Sequence, residues 1–309
     1  MDRRRIAALT ICLAAANSAL HAQAPAPSPA VTKFIKVKAD QVLLTHVRII
    51  DDTGAAPLED RNILIEGGKI ASITQDVPTP SHPPREVVDL HGYTVIPGLV
   101  GMHDHMYYIA RPNFDALGNS DPPLIVPQMA FSAPRMYLAA GVTTLRTTGS
   151  VEPYTDLNLR REIDGGHLPG PHMDVTRPYL EGPNSPFMQM HNLRDAYDAR
   201  QTVRFWAAQG VTSFKAYMNI TRDELKAAIE EAHKLNLKVT GHLCSVTYPE
   251  AAELGIDNLE HGFVVNTQLD PDKQLDLCPK TTGTPTRQKM TPVRKSLTSK
   301  TSKSSSKTA

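Results

Sequence analysis

His103-Asp104-His105 closes an apolar run that opens at Val95, and this pair of histidines is the clearest chemical signal in the chain. Side chains of a strand alternate with period two, so His103 and His105 would point to the same side. Two imidazoles so placed can reach one metal ion, and borderline ions such as Zn²⁺ accept imidazole nitrogen readily. Three later residues stand in comparable places. Lys215 lies inside the strand-like run from Val211 to Tyr217, His242 follows Lys238-Val239-Thr240-Gly241, and His261 follows Asn258-Leu259-Glu260. Each is near the C-terminal end of its expected strand, where barrels of alternating strands and helices carry their chemistry. Burying a lysine as a cation is costly and calls for a reason. Reaction with CO₂ would supply one, because a carbamate is an anionic oxygen ligand able to bridge two metal ions. Arg177, Tyr179 and Tyr217 also fall at or near strand ends, a position that suits packing as well as contact with a substrate.

The elements that must hold these residues follow from pattern and turn chemistry. Between about Val42 and Val95, short apolar runs alternate with turn residues, and Gly67-Gly68 between Asn62–Glu66 and Lys69–Ile73 is a two-residue hairpin signal. This predicts a small β unit. From Val95 onward the rhythm is strand, loop, helix, with strands beginning near Val95, Val142, Met173, Val211, Lys238 and Asn258. Thr221-Arg222-Asp223-Glu224 fits a capping box that opens a helix over Arg222 to Leu235. Further helices are expected over Leu193 to Gln209 and Pro249 to Leu254. Strands alternating with helices imply parallel βαβ units.

Taken together, Val95-Ile-Pro-Gly-Leu-Val-Gly-Met-His-Asp-His, Phe214-Lys-Ala-Tyr, Val239-Thr-Gly-His and Leu259-Glu-His-Gly resemble the first, fourth, fifth and sixth strand signatures of the amidohydrolase superfamily. The likeness is greatest to its secreted prolidase-like and imidazolonepropionase-like members and covers roughly Val42 to Val265. It implies an α/β fold, a TIM-type (β/α)8 barrel beside a small N-terminal β-sandwich. It implies two divalent metal ions, zinc being the expected element. His103 and His105 would bind one ion, His242 and His261 the other, and carbamylated Lys215 would bridge them. The activity implied is hydrolysis of an amide or peptide-like C–N bond, as in an N-acyl amino acid or a dipeptide, by metal-activated water.

The sequence departs from that pattern after His261. Family members carry an Asp at the end of strand eight that binds metal and moves the proton of the attacking water, and no catalytic residue of that kind is assignable here. Asp270, Asp272 and Asp276 lie in polar sequence without the apolar run of a barrel strand. Roughly six strand-helix units fit between residues 95 and 268, whereas a whole barrel takes about 250 residues. The expected fold is therefore a partial barrel. A rival expectation is a truncated or frame-shifted, catalytically inactive fragment that at most binds metal, and a third is an exported metal-binding module without turnover.

Composition sets the remaining bounds. A net charge of +1 gives no reason to expect nucleic acid as a partner. Arg3, Arg4 and Arg5 followed by the apolar stretch Ile6 to Leu20 and by Ala22 and Ala24 predict an export signal over 1–24. That stretch is shorter than the about 20 residues a membrane span needs, so no membrane association is expected after its removal. The location would be the periplasm or the outside. A Pro/Ala-rich linker follows over 25–40, then the β unit over 41–94, the barrel units over 95–268, and a basic, disordered or non-native tail over 269–309. Cys244 and Cys278 are expected to be a buried thiol and a tail thiol rather than a bridge. The sequence does not fix the oligomeric state, and the expected partner is a small-molecule or peptide-like substrate.

Overall fold

The computed structural model describes residues 25–78, 86–108, 129–185, 187 and 189–279. The expected signal over 1–24 and the basic tail from 280 onward lie outside the described residues. Within the linker, Pro29–Thr32 forms a single helical turn, α1.

The β unit is one five-stranded sheet. β1 (Gln41–Ile49), β2 (Leu58–Glu66), β3 (Lys69–Thr74) and β4 (Glu86–Asp89) lie in the order β3-β2-β1-β4, and β5 (Thr94–Val95) pairs with β1. Gly67 and Gly68 take φ of 55° and 74° between β2 and β3, the left-handed pair that a tight hairpin turn requires. Val47, Ile49 and Ile63 form a small core under this sheet.

Six parallel strands follow in two sheets. β6 (Leu99–Asp104), β7 (Val142–Thr147) and β8 (His172–Val175) run in the order β6-β7-β8. β9 (Ser213–Ala216), β10 (Lys238–Gly241) and β11 (Asn258–Leu259) run in the order β11-β10-β9. Parallel bridges Thr176↔Ser213 and Leu180↔Ala216 join the end of β8 to β9, so the strands follow one another in space as in sequence. Helices α2 (Ala133–Ala139), α3 (Pro153–Asp164), α4 (Ala196–Ala208), α5 (Arg222–Lys234) and α6 (Tyr248–Glu253) stand between them. The result is a mixed α/β fold. Its main core is built from residues such as Leu145, Val175, Phe214, Val239, Leu225 and Ala228, all fully or almost fully buried.

Most boundaries agree with the pattern, and the departures have local causes. The strand expected from Val95 splits, with Val95 pairing on β1 and β6 starting only at Leu99. Pro97 has no N–H for a ladder, and Gly98 weakens a strand further. The helix expected from Leu193 starts at Ala196, because Asp195 caps it by accepting from Asp198 N. Leu193 instead donates its N–H to Glu181 O at 2.8 Å. The capping box of Thr221 and Glu224 on α5 is formed as expected.

The cysteine reading is corrected, for Cys244 and Cys278 form a disulfide with Cα atoms 5.0 Å apart. Separation in sequence concealed it. Residues after 269 fold back because Asp276 accepts from Arg222 N at 2.9 Å and Nε at 3.2 Å, while Lys273 Nζ donates to Ser245 O at 2.7 Å. Residues 269–279, assigned by composition to the tail, are thus docked on the start of α5 and on the loop that follows β10. A bridge closing 34 residues stabilises chiefly by restricting the unfolded chain. Cys278→Ser should lower the unfolding free energy by roughly 2–4 kcal/mol. A urea or thermal midpoint equal to that of the parent chain would reject the bridge.

Candidate metal centre

Strand ends bring all five candidate residues into one neighbourhood. His103 is the penultimate residue of β6 and His105 the first after it. Their rings lie edge to face with centroids 5.6 Å apart. His261, just beyond β11, stands 4.5 Å from His103 and 4.3 Å from His242, which follows β10. The four imidazoles form a chain of near contacts, from His105 through His103 and His261 to His242. Lys215 lies on β9 with 1 % of its surface exposed, its Nζ 5.8 Å from the Tyr179 ring centroid. Two of the four rings come from the first sheet and two from the second.

Burial and mutual charge set the protonation of the cluster. Burial, helped by the Lys215 charge, pushes His105 down to about 4. His242 is driven to about 3, mainly by burial and then by His261 and Lys215. His261 falls to about 4 for the same reason of burial, with Lys215 and His103 adding to it. Burial also lowers Lys215 to about 8, against the pull of Glu260. These three histidines are therefore uncharged at neutral pH, and the neutral ring is the form that ligates a metal.

Hydrogen bonds orient the H-x-H pair. His105 Nδ1 lies 3.0 Å from Gly149 O, and a carbonyl can only accept, so Nδ1 carries the proton and Nε2 keeps a lone pair. Gly149 is required here, since its φ is +82° and a Cβ at this position would run into the Tyr179 ring. His261 also has a left-handed backbone, with φ of 64°. Such a conformation in a non-glycine residue is sparsely populated and gathers at functional sites. The loop that holds it is fastened by Tyr248, whose single hydroxyl proton is shared between Glu260 O at 2.7 Å and Gly262 O at 2.6 Å.

Glu260 is the residue that pattern reading passed over. It is 4 % exposed, and its Oε2 lies 2.5 Å from His103 Nδ1. Burial opposes its ionisation, but hydrogen bonds from Thr240 and His103 together with the Lys215 and Arg146 charges outweigh it and hold the carboxyl below the usual range. Its position next to a strand-end histidine was the available signal. Which partners it meets depends on the other sheet.

Tyr179 and Tyr217 are buried and stack at 4.2 Å, and Tyr217 lies 4.9 Å from the His242 ring. Tyr108 stands 4.5 Å from His105, so aromatic rings flank the histidines at both ends. Arg177 is fully buried, donates from Nη2 to Tyr179 O at 3.1 Å and lies over the Phe214 ring. Asp276 is paired with Arg222 at the start of α5. Among the described residues, no three His, Cys, Asp or Glu side chains converge in an arrangement suited to hold one ion together. The donor set nonetheless fits a divalent metal in its chemistry, with three imidazoles held neutral and, at His105, a lone pair left on Nε2.

The chain belongs to the amidohydrolase family, whose model matches residues 94–275. That is a family of generally metal-dependent hydrolases of C–N bonds. A Bifidobacterium longum protein assigned as a prolidase shares the fold at 24 % identity and a TM-score of 0.57, covering 72 % of this chain and 55 % of that one. A Xaa-Pro dipeptidase with methionine bound in its active site is 20 % identical with a TM-score of 0.58, covering 73 % and 62 %. Phenylurea hydrolase B is 19 % identical with a TM-score of 0.53, covering 74 % and 61 %. The chain thus spans less than two thirds of the length of these proteins. No curated protein matches it.

The depressed histidines set a pH dependence for the metal-free protein. His105, His242 and His261 titrate near 3 to 4 when folded, against 6.5 for a free histidine. Between these values the unfolded chain binds more protons, so stability is lost as pH falls from about 6.5 toward 4. Unfolding midpoints across this range should decline on acidification. Replacing His242 with Gln should flatten the decline, and an equally steep curve for that variant would overturn the assignment.

Proposed function

We propose that this chain carries the metal centre of an exported hydrolase acting on amide or peptide-like C–N bonds, such as those of an N-acyl amino acid or a dipeptide. The supporting observation is the set of strand-end imidazoles, three of them held neutral, around a lysine that is 1 % exposed. His103 and His105 would hold one divalent ion and His242 and His261 a second, zinc being a borderline ion that accepts imidazole nitrogen readily. Lys215, if carbamylated, would join them. Such ions lower the pKa of a water molecule and polarise a carbonyl.

The chain's own residues do the rest. Burial keeps the imidazoles available as ligands rather than as cations. Lys215, lowered to about 8 by burial, has an appreciable neutral fraction at mildly alkaline pH, the form that reacts with CO₂. The aromatic rings of Tyr108, Tyr179 and Tyr217 beside the histidines form walls that limit water and suit an apolar side chain of the substrate.

On this reading the chain holds part of a (β/α)8 barrel over 95–268 and part of a small β-sandwich over 41–94, behind an export signal over 1–24 and a linker over 25–40. The exposed apolar residues Leu99, Val100 and Met102 on β6 favour a barrel that further strands would close. Among the described residues, no helix is long and apolar enough to cross a membrane. The engagement of Asp276 with Arg222, rather than with any of the four histidines, favours a second reading, in which this chain binds metal without turnover.

The test is hydrolysis of a panel of N-acyl amino acids and Xaa-Pro dipeptides by chelator-stripped protein, with and without added Zn²⁺. Zinc-dependent turnover that falls at least about 10³-fold in His103→Ala and His261→Ala supports hydrolysis. Zinc binding without turnover selects the second reading. Turnover that survives either substitution rejects the metal centre.

A further inference from the structure

We propose that Glu260 is a positioning residue for His103, fixing the ring proton on Nδ1 so that Nε2 is presented as the ligating atom; this rests on the metal-centre reading above. The contact is short, 2.5 Å from Glu260 Oε2 to His103 Nδ1. The other oxygen is held as firmly. Glu260 Oε1 accepts from Arg146 Nη2 at 2.9 Å, from the Thr240 hydroxyl, and from Asn258 Nδ2 at 3.5 Å. Arg146 is itself fixed, its Nε donating to Met102 O at 3.1 Å.

An ionised carboxylate can only accept, so the ring nitrogen facing it must donate. In the neutral ring, that leaves the lone pair of His103 on Nε2, as the Gly149 carbonyl does for His105. The two rings are oriented by different groups, a carboxylate and a carbonyl. The carboxylate makes the ring the more basic ligand of the two. The His103 side chain remains 32 % exposed. Without Glu260 it would be free to turn and to take either tautomer. The partners of Glu260 come from β6, β7, β10 and β11, so the same carboxylate also fixes the distance between the two sheets that carry the histidines. Loss of such an outer carboxylate typically weakens metal binding about 10–100-fold.

The experiment uses the full chain, stripped of metal and labelled with ¹⁵N-histidine, in a long-range ¹H–¹⁵N correlation that reports which ring nitrogen bears the proton. The parent should show His103 as the Nδ1–H tautomer with a strongly deshielded ring proton. Glu260→Gln should abolish that shift and weaken Co²⁺ binding, followed by its visible spectrum, by about 10–100-fold. Thr240→Val removes a different partner of the carboxylate and should leave the His103 tautomer unchanged. An Nε2–H tautomer in the parent overturns the proposal without need of any variant, as does a Glu260→Gln chain with parental tautomer and Co²⁺ affinity. A parent that shows the Nδ1–H tautomer yet binds no Co²⁺ upholds the positioning contact and rejects the metal centre. A parent that binds Co²⁺ with His103 as Nε2–H does the reverse.

Discussion

Lys215 sits with 1 % of its surface exposed on a strand whose four residues are all buried, in a neighbourhood shared with four imidazole rings. A cation in such a place is unfavourable, and His105, His242, His261 and Glu260 respond to it. The charge that burial makes costly on the lysine also discourages a second charge on His105, His242 and His261. Burial above all, with this amine adding to it, keeps those three rings as lone-pair donors. Glu260 supplies a compensating negative charge, and against burial its own ionisation is favoured by Thr240, His103, Lys215 and Arg146. The electrostatics of the site form a closed set of mutual dependences rather than a list of separate groups.

That set exists only because two sheets are brought together. β6 and β7 deliver His103, His105 and Arg146, and β9, β10 and β11 deliver Lys215, His242, Thr240 and His261. The bridges from the end of β8 to β9 make the six strands continuous, and parallel strands present all their C-terminal ends on one side. The loops beyond those ends are fixed by local devices. A glycine without Cβ admits the Tyr179 ring, Tyr248 ties down the His261 loop, and a disulfide holds the chain after residue 266 near His242. Each device makes the strand ends, rather than flexible loops, the reference frame of the site.

The sequence by itself determined the strand-helix alternation, the Gly67-Gly68 hairpin and the capping box of α5, because each depends on residues close together in the chain. It also marked the five candidate side chains, since strand-end position is a local property. Boundaries near Pro97 and Asp195 shifted because a missing N–H and a capping carboxylate outweigh the apolar pattern there. Tertiary structure alone decided the pairing of Cys244 with Cys278, the docking of 269–279 through Arg222 and Asp276, and the meeting of Glu260 with His103 across 157 residues. It alone decided the protonation of the histidines, since desolvation depends on the whole surrounding shell. Local periodicity records where a side chain stands on its own element. What that side chain touches is settled only when distant elements close on one another.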